Sequence, residues 1–269
     1  MIIDFHTHAF PDKIAERTIQ ALANNSNNKP NTDGTVDGLL NAMERVEADV
    51  SVVLPVMTKA SQFDSVTAFA ISINQRFENQ KRKIISFGGI HPDCDNVFKK
   101  LSFLKENGIK GVKIHPDYQG AFIDDERYIH ILECAKELDL IVVTHSGIDD
   151  AYVNEPVRCS PERVKKVIEK VGHRKFVLAH YGAHKQWQKA LEILSDLDVY
   201  FDTAFCLHEI DKKTFLDILN KHGEDKILFG TDCPWREIKE DVEILKSFGL
   251  DNNVLDKIFY KNACSLLGI

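Results

Sequence analysis

The sequence predicts a single (β/α)8 barrel spanning residues 1–269, and three observations carry that expectation. Short β-branched runs alternate with longer helical patterns, the runs number eight, and metal-ligand side chains stand where several of them end. Barrels of this kind commonly run to a few hundred residues as one domain, long enough to bury a continuous core without staples.

In the first half the runs are 2–6 (IIDFH), 49–55 (DVSVVLP), 84–90 (IISFGGI) and 111–115 (GVKIH). In the second half they are 140–145 (LIVVTH), 175–180 (KFVLAH), 198–203 (DVYFDT) and 226–232 (KILFGTD). Most are near-continuously apolar rather than alternating, as expected of strands covered on both faces. Between them, residues 97–106 place Val97, Leu101 and Leu104 on one stripe, with Gly108 as a stop. Residues 126–138 and 162–171 repeat that pattern, and 254–267 supplies a closing helix. An open doubly wound sheet accepts the same order, but eight strands with a closing helix favour the barrel. No internal repeat or linker interrupts the scheme. The polar stretch 24–32 (NNSNNKPNT) reads as a surface loop, with a lid over the site as the alternative.

Hydrophobic residues make up 43% and charged residues 28% of the chain, an ordinary globular balance. The net charge of -7 argues against a nucleic-acid or anionic-membrane partner. No apolar stretch reaches the ~18 residues needed to span a bilayer. The N-terminus MIIDFHTHAF has no basic region followed by a long apolar run. Six cysteines are scattered without a C-x-x-C pair, which suits reduced thiols in a cytoplasmic protein. The expected partner is a small-molecule substrate, with a homo-oligomer left open.

His6 and His8 have i, i+2 spacing, so on a strand they share a side. His145 ends the fifth run, His180 the sixth and Asp232 the eighth. In a barrel these ends meet on one rim, where active sites lie. Neutral imidazole and carboxylate suit Zn, Mn, Fe or Ni, and a cation with one open position lowers the pKa of bound water. His180, if outside the ligand set, is placed to move a proton or polarise a substrate. A lone histidine is more often structural or on the surface, the reading for His130, His173, His208 and His222. H-x-H alone is a weak signal; its conjunction with three other strand ends is a strong one.

The motifs DFHTH (4–8), GVKIHP (111–116), THSG (144–147), LAHYG (178–182) and FGTDCPW (229–235) span nearly the whole chain. In that order they resemble the amidohydrolase superfamily, in its amidohydrolase-related branch of metal-dependent hydrolases with the TIM-barrel fold. The resemblance implies that His6, His8, His145 and Asp232 bind a divalent cation, most simply Zn2+. It implies that Asp232 also takes a proton from the attacking water. His180 then acts as a catalytic acid, base or electrophile, or binds a second metal. Lys113 and His115 share a face on the fourth strand; they would either line the substrate pocket or, with a carboxylated Lys113, bridge two cations. One essential ion is the preferred reading and two the alternative.

The same ligands serve hydrolysis of an amide, ester or lactone and non-oxidative decarboxylation of an unsaturated or aromatic acid. A non-catalytic metal-binding barrel is the third reading, disfavoured because it need not keep five polar rim residues. Further rim candidates are His91, Asp93, Tyr118, Gln119, Arg158, His184, Trp235 and Arg236, with the two arginines as possible forks for a substrate carboxylate. No sequence outside the eight units would form an appended β-sandwich, which fits this branch.

Overall fold

The computed structural model describes residues 1–269. Its strands β1 (Ile3–Thr7), β2 (Val50–Val53), β3 (Lys83–Ser86), β4 (Gly88–Gly89) and β5 (Gly111–Ile114) are followed by four more. These are β6 (Ile141–Thr144), β7 (Phe176–Leu178), β8 (Tyr200–Asp202) and β9 (Ile227–Leu228). Every pairing is parallel, in two ladders, β1-β2-β3 and β4 through β9 in chain order. β3 and β4 are halves of one barrel strand interrupted at Phe87, whose N–H reaches Val53 O at 2.9 Å. The seam between the eighth strand and the first is stitched by Phe5 N to Phe229 O (2.8 Å) and Asp232 N to His6 O (2.8 Å). The order is that of a (β/α)8 barrel.

Helices α1 (Asp12–Ser26) and α2 (Val36–Val46) lie between β1 and β2, and α3 (Phe63–Phe77) follows β2. Helices Val97–Glu106, Glu126–Glu137 and Pro161–Val171 occupy the places their apolar stripes predict, within a residue at each end. The stretch 24–32 departs from expectation: residues 24–26 form the last turn of α1, and only then does the chain leave the helix. Asn31 N–H then bonds Pro234 O at 2.7 Å, tying the loop to the eighth-strand rim. The closing helix starts earlier than predicted, at Asn252, and passes through a π-helical turn at Lys257–Lys261.

Alternation along the strands separates two apolar layers. Val112, Val142, Leu178 and Ile227 pack outward against the helices, whereas Val50, Val52, Val143, Val177 and Leu228 form an inner cluster. Ala263, Leu266 and Leu267 join that inner cluster. Leu267 O accepts from Lys110 Nζ at 2.6 Å, just before β5, so the C-terminal helix plugs the N-terminal mouth of the barrel. β1 carries a register irregularity between Asp4 and Thr7. Phe5 belongs to the inner cluster, yet the next residue, His6, reaches Lys113 and Asp202, also on the inward side. The bulge makes consecutive residues face inward and aims His6 at the barrel axis.

The eighth strand, expected over 226–232, pairs only at Ile227–Leu228. Beyond it the groups serve the rim: Thr231 N–H and Oγ1–H donate to the buried Asp4 carboxyl at 3.0 and 2.6 Å.

His173 is a core residue, its Nε2–H donating to Leu140 O at 2.9 Å, and burial lowers its pKa to about 4. A histidine depressed in the fold stabilises it above the unfolded value of 6.5 and loses that contribution as pH falls towards 4. The stability of His173→Gln is therefore expected to fall less steeply than the wild type's between those limits. The difference should approach about 3 kcal/mol by urea titration.

Candidate metal centre and active-site cavity

A cavity of about 410 Å³ opens at the C-terminal ends of the strands, and His6, His8, Lys113, His145, His180 and Asp232 all line it. The chain places them with help from backbone that L residues rarely adopt: His180 and Asp232 have φ of 62° and 68°. Strain of this kind concentrates at functional positions. Gly147 (φ +93°) lets the loop after β6 press against Ala183 and His184, since a Cβ there would lie 2.1 Å from His184 N. Ile148 N–H and His184 N–H then bond across that contact, at 3.0 and 2.8 Å.

The hydrogen bonds determine which ring nitrogens face inward. His8 Nδ1–H donates to Leu54 O (2.9 Å) and His180 Nδ1–H to Ala204 O (2.9 Å). A carbonyl can only accept, so each Nε2 carries a lone pair. His6 Nδ1–H donates to Asp202 Oδ2 at 2.8 Å, leaving its Nε2 unprotonated as well. His180 Nε2 accepts from His145 Nδ1–H at 3.0 Å, so His145 Nε2 is a further lone pair; it is buried and has no partner.

Three of these acceptors converge. Asp232 Oδ1 lies 2.9 Å from His8 Nε2 and 3.4 Å from His6 Nε2 and makes no properly angled hydrogen bond. Three electron-pair donors facing one another, two of them buried, repel unless a cation or proton sits among them. Burial keeps His6 and His145 well below the usual histidine range, and His180 at about 4, so the rings are neutral. Burial pushes the Asp232 carboxyl upward, and only positive charge at the His8, His6 and His180 side would hold it below the ordinary carboxylate range. This donor set fits a divalent cation.

Lys113 qualifies the fit. Its Nζ lies 3.1 Å from His6 Nε2, on the lone pair a cation would use. Burial lowers its pKa to about 8, although Asp202 and Asp232 pull upward. Loss of its proton, or a turn away from His6, is therefore within reach when a cation enters.

A second group, His115, His145 and Asp149, adjoins the first through His180. His115 and His145 stack with centroids 4.4 Å apart, and His115 Nε2 lies 3.4 Å from Asp149 Oδ2. Burial raises Asp149 to about 7, so it can carry a proton near neutrality. His145 thus groups with His115 and Asp149 rather than with His6, His8 and Asp232, and His180 spans the two sets.

Of the other rim candidates, Tyr118, His184 and Trp235 line the cavity, whereas His91, Arg158 and Arg236 do not. His91 is buried, its Nδ1 accepting from Asp93 N–H at 3.1 Å. Arg158 is engaged by Glu155 and approaches Asp117 at 3.5 Å. Arg236 binds the fully buried Asp241 (2.8 Å) and Glu240 (3.1 Å). The two arginines proposed as carboxylate forks are thus turned to carboxylates of the chain itself. Gln119 braces the wall, donating to Met57 O and Ile90 O.

Sequence reasoning missed Asp202 and Asp149. Asp202 sits near the end of the seventh run, where the strand-end rule that picked out Asp232 applies equally. Asp149 follows His145 by four residues in a loop, where only folding shows its direction.

The sequence matches the family model described as Amidohydrolase over residues 3–269. No curated protein matches. Among solved structures, a putative amidohydrolase from Staphylococcus aureus superposes with TM-score 0.72 at 16% identity, covering 100% of this chain and 99% of that one. A 5-carboxyvanillate decarboxylase from Novosphingobium aromaticivorans, complexed with manganese and 4-hydroxy-3-methoxy-5-nitrobenzoic acid, gives 0.74 at 12%, covering 100% and 96%. A probable 2-pyrone-4,6-dicarboxylic acid hydrolase from Acinetobacter baumannii gives 0.71 at 15%, covering 100% and 99%. No helix is long and apolar enough to cross a membrane. With this fold, this rim and a family match along almost its full length, the chain belongs to the amidohydrolase family and is an enzyme of that superfamily acting on a small molecule with a divalent metal.

Proposed function

We propose that this enzyme hydrolyses an uncharged amide, ester or lactone, using a divalent cation held by His6, His8 and Asp232, with His145 brought across from the adjoining group when the cation enters. The observation that carries the proposal is the convergence of the His6 and His8 Nε2 lone pairs on the orphaned Oδ1 of Asp232. Zinc is the proposed ion, since nitrogen-rich borderline ligands suit it; manganese is the alternative, present with the decarboxylase above. When bound, the cation polarises water and the substrate carbonyl.

Asp232 accepts the proton of the attacking water, its carboxylate standing beside the His6 and His8 Nε2 atoms that would hold the cation. His180 holds the His145 tautomer whose Nε2 lone pair faces Asp117 and Asp149, at 3.9 and 4.0 Å, and a positioning role for His180 is the reading this supports over a direct catalytic one. Asp149, able to hold a proton near neutrality, stands at the wall to return one to the leaving group. Since no arginine lines the cavity, an uncharged substrate fits better than a dicarboxylate.

Decarboxylation is the second reading, favoured by the likeness to a decarboxylase and by the same proton on Asp149. Metal analysis of protein purified without added metal, then a screen of esters, lactones, amides and aromatic acids, tests both. About one equivalent of ion with ester, lactone or amide cleavage is expected. Carbon dioxide release would replace the first reading with the second, and full activity without metal would sink both.

Asp202→Asn offers an amide nitrogen to His6 Nδ1 while its oxygen keeps the backbone N–H groups of His180 and Ala204. That forces His6 towards the tautomer with Nε2–H, closed to a cation. Metal affinity is expected to fall ~10–100-fold in a competition titration.

A further inference from the structure

The cavity continues away from the metal ligands as a slot between α1 and α3. Ile14, Thr18, Leu22 and Ser26 recur every fourth residue and so form one stripe of α1, facing Val66 and Phe69 of α3. From Ile14 to Ser26 the stripe runs ~18 Å at the helical rise. All six are only half-buried, on a shared cavity wall. Ile14 and Leu22 do not belong to either apolar cluster of the core. The six wall residues carry no charge; the charged groups of the cavity stand at the strand ends and at Asp149 and Asp150, in the loop after β6 whose 150–152 turn packs on α1. A mainly apolar channel of this length, with the hydroxyls of Thr18 and Ser26 among its Ile14, Leu22, Val66 and Phe69 walls, is filled at lower free energy by an apolar chain than by water.

We infer that the substrate carries an uncharged, extended hydrocarbon tail, laid between α1 and α3 with its cleavable carbonyl at Asp232. The inference rests on the hydrolase reading for the head group, but the slot itself is independent of the chemistry. Hydrolysis of 4-nitrophenyl esters of straight-chain acids, from acetyl to dodecanoyl, by the metal-loaded enzyme separates the two. Expected is a kcat/KM rising with chain length, by up to about fourfold per buried methylene. Val66→Trp, placed across the slot, should flatten that slope while melting like the wild type. Leu22→Trp gives the same reading from the opposite wall should the first variant fail to fold.

Ester cleavage with a flat or falling profile would overturn the slot and leave the hydrolase standing. If no ester is cleaved, calorimetric titration with dodecanol decides. Binding that Val66→Trp abolishes supports the slot and removes ester cleavage from the hydrolase reading; absence of binding overturns the slot.

Discussion

Replacing Asp232 by Asn is expected to lower turnover by about three orders of magnitude, on the order of 4 kcal/mol in the barrier. The residue has two jobs that an amide cannot do. Its Oδ1 completes the set with His6 and His8 Nε2, and its anionic form accepts the proton of the attacking water. An amide nitrogen would point hydrogens at one or both histidines and close the site to a cation. The fold should survive, since Asp232 N–H, which bonds His6 O at 2.8 Å, is unchanged. Turnover, bound metal and a thermal melt on the same sample check this. Turnover within tenfold of the wild type would show that Asp232 is not the proton acceptor.

Arg236→Ala should act on stability rather than on substrate. Arg236 forks onto Asp241 Oδ1 with Nε at 3.1 Å and a terminal nitrogen at 2.8 Å, and Asp241 is wholly buried. Removing one partner leaves a buried carboxylate without compensation, which costs about 3–5 kcal/mol. Burial already raises Asp241 to about 7 against the pull of Arg236, and without the guanidinium it rises further. A carboxyl whose folded pKa is raised favours the fold in acid and loses that contribution as pH rises through the folded value. The deficit of the variant should therefore be largest near pH 8 and shrink towards pH 5.5, read by urea unfolding. A higher KM with unchanged stability would instead turn Arg236 towards the substrate.

Asp232 and Arg236 lie four residues apart on one rim segment, yet the sequence treats them very differently. Asp232 ends an apolar run in register with three histidines at other strand ends, a pattern visible without coordinates. An arginine after the same run carries no such mark, because its partner Asp241 is on the following helix. The same contrast separates Asp202, legible from its strand end, from Asp149, which a loop turns back over His145.

By itself, then, the sequence determined the alternation of strands and helices, the rim and the residue types gathered on it. Those follow from local periodicity and from the rule that parallel strand ends in a barrel share one face. Only the tertiary structure decided which atoms point where. The bulge in β1 turns His6 inward, carbonyls at Leu54 and Ala204 select the tautomers of His8 and His180, and α1 stands off α3 to leave a slot. Each depends on partners dozens to hundreds of residues away, and hydrogen-bond direction over such separations is set by packing, not by any local pattern.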